Sequence, residues 1–285
     1  MIQLIISLLA SLSVGFFIKY LRINNVRNLF TMVTANYFVA TILSLLCFKI
    51  QLNPFYFQSI DFKPIISLGI LMPSIFFVLN KSLKTSGLAR TDIFQRLSLL
   101  IPVLLSFTLF NEELTLAKLV VVTLAFASIL LLLYKKSTNN GKSNILFLLA
   151  VFFGYGIIDT LFKIIATNKS INYTSVLFLI FILCSFISFL YILFSKGKIQ
   201  KKYCFFGIVL GLLNFSNIYF YLEAHKKFSH SPTLVFITMN LGVIIGGSLI
   251  GAYYFKEKLS KVTIYGVLMA ILSIILLALI QLNLL

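Results

Sequence analysis

The chain has 285 residues, of which 60% are hydrophobic and 11% charged, against about 25% charged in soluble domains. That charge is too little to cover a water-facing globule, so a soluble enzyme is excluded and the chain reads as a polytopic membrane protein. Lys and Arg outnumber Asp and Glu by 24 to 7, yet the cations sit in short segments between apolar runs, where they anchor helix ends rather than form a nucleic-acid surface.

Ten apolar runs are long enough to be predicted as helices crossing the bilayer: about 1–20, 29–48, 64–80, 90–110, 115–134, 144–165, 172–194, 203–223, 231–255 and 260–281. The first lacks a basic leader, and no small-residue cleavage site follows Lys19, so it is expected to be a retained span rather than a signal peptide. The fourth opens with the polar stretch that begins "ARTDIFQRL" at Ala89. Pro73 and Pro102 fall inside spans three and four, where each frees a backbone carbonyl and can kink its helix. The fifth run ends at "KKSTNNGKS", Lys135 to Ser143, a polar linker at the middle of the chain. Gly207 and Gly211 in span eight, and Gly242, Gly246, Gly247 and Gly251 in span nine, let helix backbones approach closely. That pattern serves packing within a monomer or the face of a homodimer, and both remain open. Cys47, Cys184 and Cys204 lie in apolar runs without disulfide or metal spacing.

The two sides of the linker resemble each other. "FNEELT" at Phe110 matches "FKEKLS" at Phe255, an offset of 145, and the same offset pairs Ser128 with Ser273 and Gln95 with Asn240. A weaker match pairs Lys19 with Lys163. These halves, residues 1–136 and 143–285, would each hold five spans. An odd number sends the second half into the membrane from the opposite side. The expected fold is an all-α membrane protein with ten transmembrane helices as two inverted five-helix repeats. Apart from Arg96, the loops after odd-numbered spans hold 16 Lys and Arg and those after even-numbered spans hold 7, which by charge alone places both termini outside.

Ten spans in two halves, with "SLLIPVLLSFTLFNEELT" at Ser98 to Thr115 and "MNLGVIIGGSLIGAYYFKEKLS" at Met239 to Ser260, resemble the EamA-like transporters of the drug/metabolite transporter superfamily. The segment "TANYFVATILSL" at Thr34 to Leu45 also looks like the second span of such proteins. The resemblance implies a secondary carrier of small metabolites, often an exporter of amino acids or related compounds, without a bound cofactor. It also implies that Glu112 and Glu257 are helix-end features. Two departures stand against it: Gly247 occupies the position aligned with Pro102, and family members keep both termini in the cytoplasm, opposite to the charge count.

Ionisable groups inside spans are costly and mark function by default. Asp92 and Arg96 lie one turn apart and share a face of span four, as Asp159 and Lys163 do on span six. Each pair either lines a path or only neutralises itself within the bundle. Lys19 and Arg90 sit nearer the interface. Glu223, at the end of span eight, either caps Lys226 and Lys227 or binds a coupling proton. His225 and His230 are expected in a solvated loop. Among the uncharged polar residues, Asn36, Tyr37, Asn80, Asn214, Asn217, Tyr219, Gln95 and Asn240 are cavity candidates, the last two as an aligned pair. Lys19, Asn80, Arg90, Asp92 and Arg96 would gather at one face of the membrane, with Arg96 deeper and able to draw in an anionic group. Asp159, Lys163 and Glu223 would gather at the other.

The expected partners are a small-molecule substrate and the lipid bilayer of the cell membrane, with no nucleic acid and no metal. A membrane-embedded enzyme would need a His–carboxylate, metal or nucleophile constellation, and none is recognisable in the sequence. A non-transporting scaffold would need no charge inside its spans. No P-loop is present to draw energy from ATP.

Overall fold

The computed structural model describes residues 2–23, 29–50, 61–133, 144–168, 172–194, 200–254, 256 and 260–282. Among them eleven helices occur and no strand: α1 (Ile2–Ile23), α2 (Leu29–Cys47), α3 (Phe62–Ser86), α4 (Leu88–Leu97), α5 (Leu100–Thr108), α6 (Leu116–Leu133), α7 (Ile145–Thr167), α8 (Tyr173–Phe194), α9 (Lys201–Lys227), α10 (Pro232–Tyr253) and α11 (Lys261–Gln281). An all-helical build is what lipid demands, because each helix satisfies its own backbone polar groups. Among the described residues nine spans are long and apolar enough to cross a membrane, with α4 and α5 together forming one of them, and Ile2–Ile18 of α1 is a shorter apolar helix.

The fourth span differs from the single helix expected. It breaks between α4 and α5 at Ser98 and Leu99. Pro102 has no N–H to give the Ser98 carbonyl four residues earlier, and its ring crowds that carbonyl. The backbone tightens there: Leu99 N donates to Arg96 O at 3.3 Å and Ile101 N to Ser98 O at 3.1 Å, before Val103 N resumes the α pattern to Leu99 O at 3.1 Å. Gly156 of α7 makes room for this turn, since a Cβ there would lie 2.9 Å from Ser98 O and 2.8 Å from Ile101 Cβ. Pro73, by contrast, sits inside an unbroken α3.

The helices form two compact units, Met1–Phe77 with Leu161–Lys226, and Val78–Thr160 with Lys227–Leu285. Each takes residues from both sides of the central linker, so the packing units are not the sequence halves. In the first unit α2 packs on α8, and α9 approaches α2 so closely that a Cβ on Gly207 would meet Met32 O at 2.6 Å. Its core includes Tyr37, Leu68, Phe181 and Leu222. In the second unit α6 packs on α11, and α10 contacts α5, α6 and α11 around Val103, Ile129, Phe236 and Ala270.

Candidate functional site

In the second unit the polar half of the fourth span folds as α4. Asp92 and Arg96 face each other one turn apart, with Arg96 Nε 3.7 Å from Asp92 Oδ1 and the side chains 20% and 41% exposed for Arg96 and Asp92 respectively. The pair sits immediately before the helix break. Gln95 beside it is half-buried, and its carbonyl accepts the Ser98 hydroxyl at 2.6 Å. Ser82 of α3 and the buried Thr91 of α4 share a hydrogen bond of 2.8 Å that ties these helices together near Asn80, itself half-buried. Asn240 on α10 is half-buried and turns its amide onto its own helix, to Phe236 O at 3.1 Å.

The shared Phe-x-Glu-x-Leu motif has a definite structural role at its first occurrence. Asn111 adopts a left-handed φ of 51°, which Asn tolerates better than most residues. The turn brings Glu112 N to Ser106 O at 3.0 Å and carries the Glu112 side chain into the interior, where the residue is 5% exposed. Its Oε2 accepts Thr233 N at 3.0 Å and Thr233 Oγ1 at 2.7 Å, while Oε1 lies 3.3 Å from Lys118 Nζ. Thr233 is in the first turn of α10, and Ser231 at the helix N-cap makes no side-chain cap bond. Glu112 therefore supplies the cap from a distant segment, and its charge suits the positive end of the helix dipole. Glu257, at the second occurrence, lies outside the described residues.

In the first unit the end of α9 gathers the other candidates. This helix runs to Lys227, four residues past the sequence-based boundary of 223. The extra turn overturns the expectation of a solvated His225: it is fully buried, with its ring edge-on to Tyr221 at 4.6 Å between centroids. His230, beyond the helix, is exposed. Lys163 of α7 is 1% exposed, and its Nζ donates to the carbonyl of His225 at 3.5 Å. Asp159, one turn earlier on α7 and half-buried, belongs to the second unit. The Lys19 side chain lies outside the described residues.

Glu223 faces away from His225, because two residues along a helix turn the side chain through about 200°. It is half-buried, and Tyr173 at the start of α8 donates its hydroxyl hydrogen to Glu223 Oε1. Lys226 Nζ sits 5.2 Å from the centre of the Tyr173 ring. Glu223 thus pairs with a phenol and not with Lys226 or Lys227, the partners expected from the sequence. The amides earlier on α9 bond between helices: Asn214 Nδ2 donates to Asn36 Oδ1 at 3.3 Å, and Ser7 Oγ donates to Asn217 Oδ1 at 3.0 Å. Tyr173 carried no sequence signal, since a tyrosine at a span end is ordinary in any membrane helix. Among the described residues no three His, Cys, Asp or Glu side chains gather as metal ligands would.

The model of the EamA-like transporter family matches residues 1–134 and 142–279. The chain belongs to that family. This EamA-like transporter is a multi-pass membrane protein, and family members are transporters rather than enzymes. It is 36% identical over 280 residues to an uncharacterized protein of Haemophilus influenzae (strain ATCC 51907 / DSM 11121 / KW20 / Rd), covering 95% of this chain and 96% of that one. A crystal structure of a protein with 13% identity superposes with a TM-score of 0.78, covering 99% of this chain and 97% of that one, which establishes the shared fold.

Proposed function

We propose that the protein is a secondary carrier that exports small metabolites, such as amino acids or related compounds, across the cell membrane by alternating access. The repeated halves 1–136 and 143–285 would be inverted with respect to each other, giving the two access states. The observation that carries this reading is the Asp92–Arg96 pair, long at 3.7 Å and lying just before a broken helix. In carriers, interrupted helices are where solute groups meet helix ends. Asp92 would hold Arg96 while the site is empty, and an anionic group of the solute would replace it, so the charge stays compensated in both states. Gln95 and Asn240 would line the same path. Lys163, with Asp159 one turn away, would act on gating by holding the end of α9.

The test is solute counterflow in proteoliposomes, with candidate solutes first found by the rise in thermal stability they give the purified protein. Arg96→Ala should abolish most flux while the protein stays folded. Arg96→Lys should recover little, because an ammonium cannot reproduce the guanidinium fork. Wild-type flux in Arg96→Ala would refute the role of this pair. Chemical turnover of solute in detergent, with no gradient present, would favour a membrane enzyme instead.

A further inference from the structure

Resting on the carrier reading, we propose that Glu223 is the site of the coupling proton and that Tyr173 is its positioning residue. The acids inside the described helices have different company. Asp92 faces Arg96, and Asp159 stands one turn from Lys163. Glu112, at the end of a span, is held by Lys118 and by the first turn of α10. A cation or helix N-terminus holds a carboxylate in its charged form. Glu223 has a neutral hydroxyl as its direct partner.

A phenol serves both states of a carboxyl group. It donates to the carboxylate, and once a proton has bound it can donate to the remaining carbonyl oxygen or accept from the new O–H. The site can therefore gain or lose one proton, as carboxylate plus H⁺ to carboxylic acid, without leaving a buried polar atom unpaired. Glu223 is half-buried, so a proton can reach it. The groups around it fit that use. Tyr219 lies one turn earlier on the same face of α9 and interacts with Tyr173. Lys226 sits over the Tyr173 ring, and Lys227 is exposed one turn on. His225 points to the opposite face of α9, and Lys163 of α7 donates to its carbonyl.

The experiment uses the full chain in liposomes. Infrared spectra recorded as the pH is lowered should show a protonated-carboxyl band that grows and is missing in Glu223→Gln. Tyr173→Phe should shift the pH at which the band appears, and Glu223→Asp should restore a titrating band. An unchanged band in Glu223→Gln would overturn the proposal. A second arm uses a mixture of radiolabelled α-amino acids as probe. Glu223→Gln should keep counterflow and lose accumulation driven by an imposed pH gradient. If folded Glu223→Gln loses counterflow as well, Glu223 is a solute ligand and the coupling role falls. If the wild type shows the band but no counterflow of the probe, the amino-acid reading fails while the proton site stands.

Discussion

Glu112→Ala tests whether one side chain holds the start of α10. The change leaves Thr233 N–H and its hydroxyl without their acceptor and leaves Lys118, 14% exposed, without its charged partner and with only the Glu113 carbonyl at 3.0 Å. Loss of a helix N-cap costs about 0.5–2 kcal/mol. A hydrogen bond to a charged group contributes about 1.5–3 kcal/mol, and breaking a buried ion pair from one side costs about 3–5 kcal/mol. These overlap at the same carboxylate and do not add, so the expected loss for Glu112→Ala is about 3 kcal/mol. Glu112→Gln retains a carbonyl oxygen for Thr233 and gives up the charge toward Lys118 and the helix dipole, so about 1–2 kcal/mol is expected. Reversible unfolding in mixed micelles, followed by helical circular dichroism, reads both differences. Wild-type stability in Glu112→Ala would refute the capping argument. Equal losses in both variants would place the whole effect in the charge.

Gly156→Ala should destabilise the protein by about 1–3 kcal/mol through overpacking. The new methyl would lie 2.8 Å from Ile101 Cβ and 2.9 Å from Ser98 O, neither of which is the free end of a flexible chain. Gly247→Ala, where nothing lies within 4 Å, should melt as wild type, and a similar loss in both would show that helix flexibility and not contact sets the effect. Asn36→Leu should cost only about 0.6 kcal/mol, the average for an interhelical hydrogen bond in a membrane, and should leave flux unchanged. A loss of solute flux without a loss of stability would instead give Asn36 a contact with solute.

The spans were legible because lipid imposes a length and forbids unpaired backbone, so apolar run length alone marks the helices. The Asp92–Arg96 contact was legible for a similar reason: one-turn spacing on a helix fixes who faces whom. What escaped reading depends on the backbone or on distant partners. Pro102 announced a kink, but its lesion lies four residues earlier, at the Ser98 carbonyl, and Gly156, which accommodates it, is on another helix. The Glu112 carboxylate finds Thr233, 121 residues away, and no residue type at position 233 signals an N–H that needs an acceptor. His225 was misplaced because polar residues at a span end resemble a loop, while the helix carries them one turn further into a buried site.

The short connection between α9 and α10 shows why a charge inside a membrane span is not by itself a sign of transport. A helix end away from water needs partners for its last carbonyls and first N–H groups. Near the end of α9 the His225 carbonyl meets the buried cation of Lys163, and at the start of α10 the Thr233 N–H meets the buried anion of Glu112. Each charge has the sign that the local dipole favours. These two groups have helix-end work that accounts for their burial. Asp92, Arg96 and Glu223 have none: their partners are side chains on helix flanks, and each of the three keeps some exposure. A charge that completes a helix end should matter most to unfolding, and one held only by another side chain should matter most to flux. Unfolding and counterflow measured together on Glu112→Gln and Arg96→Ala separate the two classes, and the distinction fails if both variants lose the same property.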